Sequence, residues 1–136
     1  MHVVVSLLED SEIDELGLQE EGPLCQQSDV EFLRFPIPDR GVPASQHELT
    51  VLVAKLVTHL HEGRGVGIHC RMGVGRSALI AACVLISLGQ RTKSVWSAIE
   101  DARGLSVPDT EAQQEWVVQW ASTYINNGGP PNSANG

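Results

Sequence analysis

Val3, Val4, Val5, Leu7 and Leu8 form a short apolar run that ends at Glu9 and Asp10, the mark of a buried strand. The acidic stretch at residues 11–16 predicts a short helix stopped by Gly17, and Gly22-Pro23 predicts a loop as far as residue 28. Residues 31–35, Glu-Phe-Leu-Arg-Phe, alternate well enough for a second strand. Residues 36–43 hold three prolines and a glycine, which excludes a helix or a central strand and predicts a shaped loop. Ser45 and Glu48 then form a capping box, and Leu49, Leu52, Val53, Leu56, Val57 and Leu60 recur at helical spacing until Gly63 and Gly65. Val66 to His69 reads as a short strand, Gly73 and Gly75 as a tight loop, and residues 77–88 as a helix apolar nearly all round, hence central and buried. Residues 92–102 predict another helix, closed by Gly104. Thr110 opens the last, whose Trp116, Val117, Trp120 and Tyr124 make a stripe suited to a core. Strand, helix and loop alternate, so the fold class is α/β, a central, mostly parallel sheet flanked by helices, in a single domain over residues 1–125. Residues 126–136, rich in Asn, Gly, Pro and Ser, predict a disordered tail.

Composition narrows the setting. The 136 residues are one domain's worth of sequence. No apolar run approaches the ~18 residues of a membrane span, and the first ten residues lack the basic stretch and cleavage site of a signal peptide. Cys25, Cys70 and Cys83 follow no regular spacing, and an odd count argues against a secreted disulfide framework. A cytoplasmic monomer without membrane contact is the expectation. Of the 17 acids, nine lie in the first 33 residues, which contain no Lys or Arg; all nine Lys and Arg follow, against eight acids. A pI near 4.9 with no basic stripe argues against nucleic acid as a partner, and the acidic start is expected to be a solvated face.

The segment His69-Cys-Arg-Met-Gly-Val-Gly-Arg-Ser77 carries the chemistry. It joins a strand to an apolar helix, and such a turn points backbone N–H groups and a helix N-terminus at an anion of phosphate size. Gly73 and Gly75 let the backbone curl inward, and Arg76 adds a planar donor fork for phosphate oxygens. It is not a Walker loop, because no Gly-Lys-Ser/Thr is present. Cys70 opens this nest; beside a helix N-terminus and an arginine its pKa falls below ~8.5, which makes a thiolate aimed at the phosphorus.

His69-Cys-x-x-Gly-x-x-Arg-Ser77 resembles the signature His-Cys-x-x-Gly-x-x-Arg-Ser/Thr of the cysteine-dependent protein tyrosine phosphatase superfamily, and the size and order of elements are similar to its small dual-specificity branch. The likeness covers roughly residues 3–125. It implies a protein tyrosine phosphatase-like fold and hydrolysis of phosphotyrosine, with phosphoserine and phosphothreonine, through a cysteinyl-phosphate, without metal or other cofactor. Cys70 is then the nucleophile, and Arg76 the clamp on phosphate and transition state. The N–H groups of Arg71, Met72, Gly73, Val74, Gly75 and Arg76 cradle the oxygens. Ser77 stabilises the departing thiolate, and His69 shapes the loop and lowers the thiol pKa. Phosphate, sulfate and vanadate are the expected loop anions, and a phosphorylated protein or peptide the substrate. Low-molecular-weight phosphatases and arsenate reductases place their Cys-x5-Arg after the first strand, whereas here it begins at residue 70.

The reaction also needs an acid for the leaving oxygen and a base for water. Asp39, in the proline-rich loop about thirty residues before Cys70, is the candidate, with Asp109 as the substitute. Gln113 matches the family's water-orienting glutamine, yet Thr110-x-x-Gln113 is itself a capping box. Arg40 and Arg103 line the cleft or face solvent, and Arg71 is a weak hint of a multiply charged substrate. His59 and His61, two apart on a helix, share no face, so no metal site is expected. Cys25 is expected in a loop and Cys83 in the core. The chain starts directly at its Val-Val-Val strand, where small family members carry a further strand and short helix; a missing strand leaves an exposed edge. Two alternatives stand beside the protein phosphatase: an enzyme for non-protein substrates such as inositol phosphates, and a non-catalytic phosphate-binding module.

Overall fold

The computed structural model describes residues 2–38, 41–69, 75–103 and 111–126. Strand β1 (Val3–Ser6) lies between β2 (Glu31–Arg34) and β3 (Val66–His69), and both pairings are parallel. The register places Ser6 beside both Arg34 and His69, so all three strands end at one level. In parallel sheets the crevice outside the carboxyl ends of the strands is where ligands bind. Here the chain beyond β1, β2 and β3 supplies Leu7 and Leu8, the proline-rich segment, and the loop of Cys70. The expected α/β class with a parallel sheet is the observed one.

Six helices complete the described residues: α1 (Asp10–Leu16), α2 (Glu21–Gln27), α3 (Gln46–His61), α4 (Gly75–Ser87), α5 (Thr92–Arg103) and α6 (Glu111–Asn126). Gly17 ends α1 in the left-handed region at φ 66°, as its place after Leu16 predicts. Ser45 caps α3 by accepting the Glu48 N–H at 3.2 Å. The core gathers Val3 and Val5 from the central strand with Leu49, Val53 and Leu56 of α3, Leu79, Ile80 and Cys83 of α4, and Val117 and Trp120 of α6. The aromatic stripe of α6 is therefore packing surface, with Trp120 stacked on Tyr124 at 4.9 Å between ring centres.

Helix α2 departs from the sequence expectation of a loop. Pro23 is its third residue, in the first turn, where a missing N–H leaves no intrahelical bond unmade. Gly22 lets the helix settle on β2: a Cβ there would stand 3.3 Å from the ring of Phe32. Cys25 is accordingly a half-buried helix residue rather than a loop residue. The proposed tail beyond Asn126 falls outside the described residues.

A part-buried polar contact links helices α3 and α6. The Trp120 indole N–H donates to Thr50 Oγ1 at 3.0 Å, and that hydroxyl donates to the Gln46 carbonyl at 2.9 Å. Thr50→Val keeps the shape and leaves the indole N–H without its acceptor. Urea unfolding is expected to show a loss of about 1–3 kcal/mol; a change within about 0.3 kcal/mol would mean that the contact carries nothing.

Candidate active site

Helix α4 starts at Gly75, so Arg76 and Ser77 lie in its first turn, and both are buried. An arginine this close to a helix N-terminus faces the positive end of the macrodipole, which must be offset by acceptors. Three segments provide them. Glu12 grips the fork with both carboxylate oxygens: Nη1 donates to Oε1 at 2.7 Å and Nη2 to Oε2 at 2.8 Å. Nη1 also donates to the Ile37 carbonyl at 2.9 Å and, at 3.5 Å, reaches the Leu7 carbonyl. Leu7, Glu12 and Ile37 all belong to the segments that follow β1 and β2, at the carboxyl end of the sheet.

Glu12 is a partner of Arg76 that the charge pattern hid. It belongs to the acidic start expected to face water, yet only 6% of it is exposed. Its Oε1 also accepts the N–H of Glu9 at 3.0 Å, which ties the carboxylate to the first turn of α1. The available signal was positional: an acid in the first turn of the helix that follows the central strand stands where the site must form. The neighbouring Asp10 behaves as expected, with an exposed contact to Arg34 at 2.9 Å.

The other sequence candidates divide in two groups. Gln113, in the first turn of α6, is fully buried, and its Nε2 donates to the Gly41 carbonyl at 2.9 Å. Arg76 thus bonds the Ile37 carbonyl and Gln113 the Gly41 carbonyl, the one before and the other after residues 39 and 40 in the sequence. Cys70, Arg71, Met72, Gly73 and Val74 lie outside the described residues, as do Asp39, Arg40 and Asp109. The backbone of His69 ends β3, and its side chain and that of Arg103 are also outside the described set. Cys83 is a core thiol whose pKa burial pushes well above its ordinary value, which keeps it protonated and unreactive.

A parallel sheet whose third strand leads through Cys70 to a buried arginine at a helix start has the architecture of cysteine-dependent phosphatases. Residues 1–90 match the family model Tc-R-P, "Polymorphic toxin system, DSP-PTPase phosphatase", and the chain belongs to that DSP-PTPase family. It is 40% identical over 101 residues to cyclin-dependent kinase inhibitor 3 of Homo sapiens, covering 71% of this chain and 46% of that protein. The chain thus spans about half the length of the relatives it matches in sequence. Among solved structures, kinase associated phosphatase with serine in place of its catalytic-site cysteine superimposes with a TM-score of 0.84 at 24% identity, over 92% of this chain and 71% of the other. Tk-PTP in its active form gives 0.77 at 28% identity, over 89% and 78%. No helix among the described residues is long and apolar enough to cross a membrane.

Breaking one side of a buried ion pair strands the other charge, at a cost of about 3–5 kcal/mol. Glu12→Ala is therefore expected to lower the unfolding free energy by that order. A loss below about 1 kcal/mol on urea titration would show that Arg76 does not depend on the carboxylate.

Proposed function

We propose that the chain hydrolyses phosphomonoesters through a cysteinyl-phosphate on Cys70. The observation that carries this is the fixing of Arg76: Glu12 grips the Nη1–Nη2 end of the guanidinium and so orients a planar donor fork of the kind that suits phosphate oxygens. The loop from Cys70 to Gly75, with its run of N–H groups, closes round the remaining oxygens, as its sequence and the family membership support.

In the first step the Cys70 thiolate attacks phosphorus and the bond to the leaving oxygen breaks. The Asp39 carboxyl gives that oxygen its proton. In the second step the Asp39 carboxylate takes a proton from water, the water oxygen attacks phosphorus, and the phosphorus–sulfur bond breaks to release phosphate and thiolate. Arg76 and the N–H groups stabilise the charge on the equatorial oxygens in both steps. Ser77 steadies the returning thiolate, and His69 holds the loop's shape. The substrate is phosphotyrosine in a protein or peptide, with phosphoserine and phosphothreonine also accepted; its setting is the cytoplasm, in keeping with the acidic composition and the odd number of cysteines.

Release of an aryl phosphate across pH 4 to 8 tests the roles. Cys70→Ser is expected to be inactive. Asp39→Asn is expected to lose roughly 10² in rate together with the high-pH limb, because an acid works only while protonated and its contribution disappears as pH rises through its pKa. An Asp39→Asn variant near the parent rate would move the acid to Asp109. Faster release from inositol phosphates than from a phosphotyrosine peptide would replace the protein substrate.

A further inference from the structure

Strand β2 is a border of the sheet: among the described strands it is hydrogen-bonded to β1 alone. Its Glu31 N–H donates to the His2 carbonyl at 3.0 Å, and the N–H of Phe35, just beyond it, to the Ser6 carbonyl at 2.9 Å. Main-chain groups of a strand alternate in direction, so those of Phe32 and Arg34 point the other way, out of the sheet. Such a row of N–H and C=O groups is a template for one more strand.

A groove adjoins β2 on each face of the sheet. On the α3 face Leu33, Phe35, Val51 and Leu52 line a groove of about 480 Å3, where the charges of His47, Glu48 and Lys55 are mixed. On the α1 face Ile13, Leu18 and Phe32 line another of about 470 Å3, and there the carboxylates of Asp10, Asp14 and Glu21 outnumber the one cation, Arg34. A strand added to β2 sends alternate side chains to opposite faces. One set then meets an apolar floor, and the other an acidic wall that complements Lys or Arg. A helix uses its own main-chain groups internally and cannot answer those of Phe32 and Arg34. Residues 127–136 hold no Lys, Arg or large apolar residue, so that stretch does not supply the pattern.

We propose that the free border of β2 docks an extended segment of the phosphoprotein substrate, with apolar residues at one alternate set of positions and Lys or Arg at the other. The border leads to the site: β2 continues into Ile37, whose carbonyl receives Arg76 Nη1 at 2.9 Å. An added strand would lie three strand spacings, about 14 Å, from β3, which runs into Cys70. Roughly four extended residues cover that distance, so the docked segment and the phosphorylated residue fit on one peptide. The substrate role rests on the reading of the chain as a phosphatase; the docking itself does not.

Binding is therefore measured apart from turnover, by fluorescence anisotropy of a labelled peptide of alternating valine and lysine. The parent protein is expected to bind it roughly tenfold more tightly than a peptide of the same composition in two blocks. N-methylation of the valines removes one row of main-chain donors and N-methylation of the lysines the other; only the form methylated on the row facing β2 should lose binding. Asp14→Arg reverses an exposed charge on one wall and is expected to weaken binding roughly tenfold. Val51→Asp, at an exposed position on the other wall, should weaken it comparably, with circular dichroism as the check on folding. Equal binding of the two methylated forms, or no effect of either substitution, would overturn the proposal. So would a dimer on sedimentation that excludes the peptide, which would assign the border to a second copy. With a phosphotyrosine placed about five residues from the alternating segment, kcat/KM should exceed that of the block-ordered peptide roughly tenfold. Equal values, with binding intact and an aryl phosphate hydrolysed, would remove the substrate role. If no phosphate ester is hydrolysed while the peptide still binds, the phosphatase reading is the one that has failed.

Discussion

An arginine with 2% of its surface exposed, placed in the first turn of a helix, is the constraint on which the rest of this structure depends. Left alone, such a charge would cost several kcal/mol in desolvation. It is tolerated because Glu12 meets it at two points and the Ile37 carbonyl at a third. Those partners set where α1 must start, how the chain leaves β2, and how the three parallel strands must align at their carboxyl ends. The arginine of the anion-binding motif is thus also the keystone of the fold around the site.

This double duty has a chemical use. A phosphate-binding arginine that must reorganise on binding wastes part of its interaction energy; one held by a carboxylate and a carbonyl meets its ligand already oriented. The same Nη1 that pairs with Glu12 also bonds the carbonyl of Ile37, two residues before Asp39. Arg76 thus holds the Ile37 carbonyl as firmly as Gln113 holds that of Gly41. Glu12, Arg76 and Gln113, which make these contacts, sit in the first turns of helices α1, α4 and α6.

Much of this could be read from the residues. The spacing from His69 to Ser77 marks the anion loop without any coordinates, and the capping box at Ser45 and the apolar periodicity of α3 place that helix to within a residue. Helix α2 was not legible, because Gly22-Pro23 carries turn chemistry; only the position of Pro23 in the first turn and the contact of Gly22 with Phe32 make a helix of it. Glu12 was hidden for a different reason. Local charge patterning places it among solvated acids, and its partner lies 64 residues away. Gln113 was visible as a residue, but a capping box and a water-orienting role both fit its spacing. Its bond to Gly41 follows from how α6 docks on the proline-rich turn, which local sequence does not encode.

The most direct test is to stop turnover of an aryl phosphate by rapid acid quench and weigh the peptides of the parent protein and of Asp39→Asn. The account predicts a transient gain of one phosphoryl group on the peptide carrying Cys70, longer-lived in Asp39→Asn because water attack is slowed. Turnover with no such adduct, or with the phosphoryl group on another residue, would contradict it.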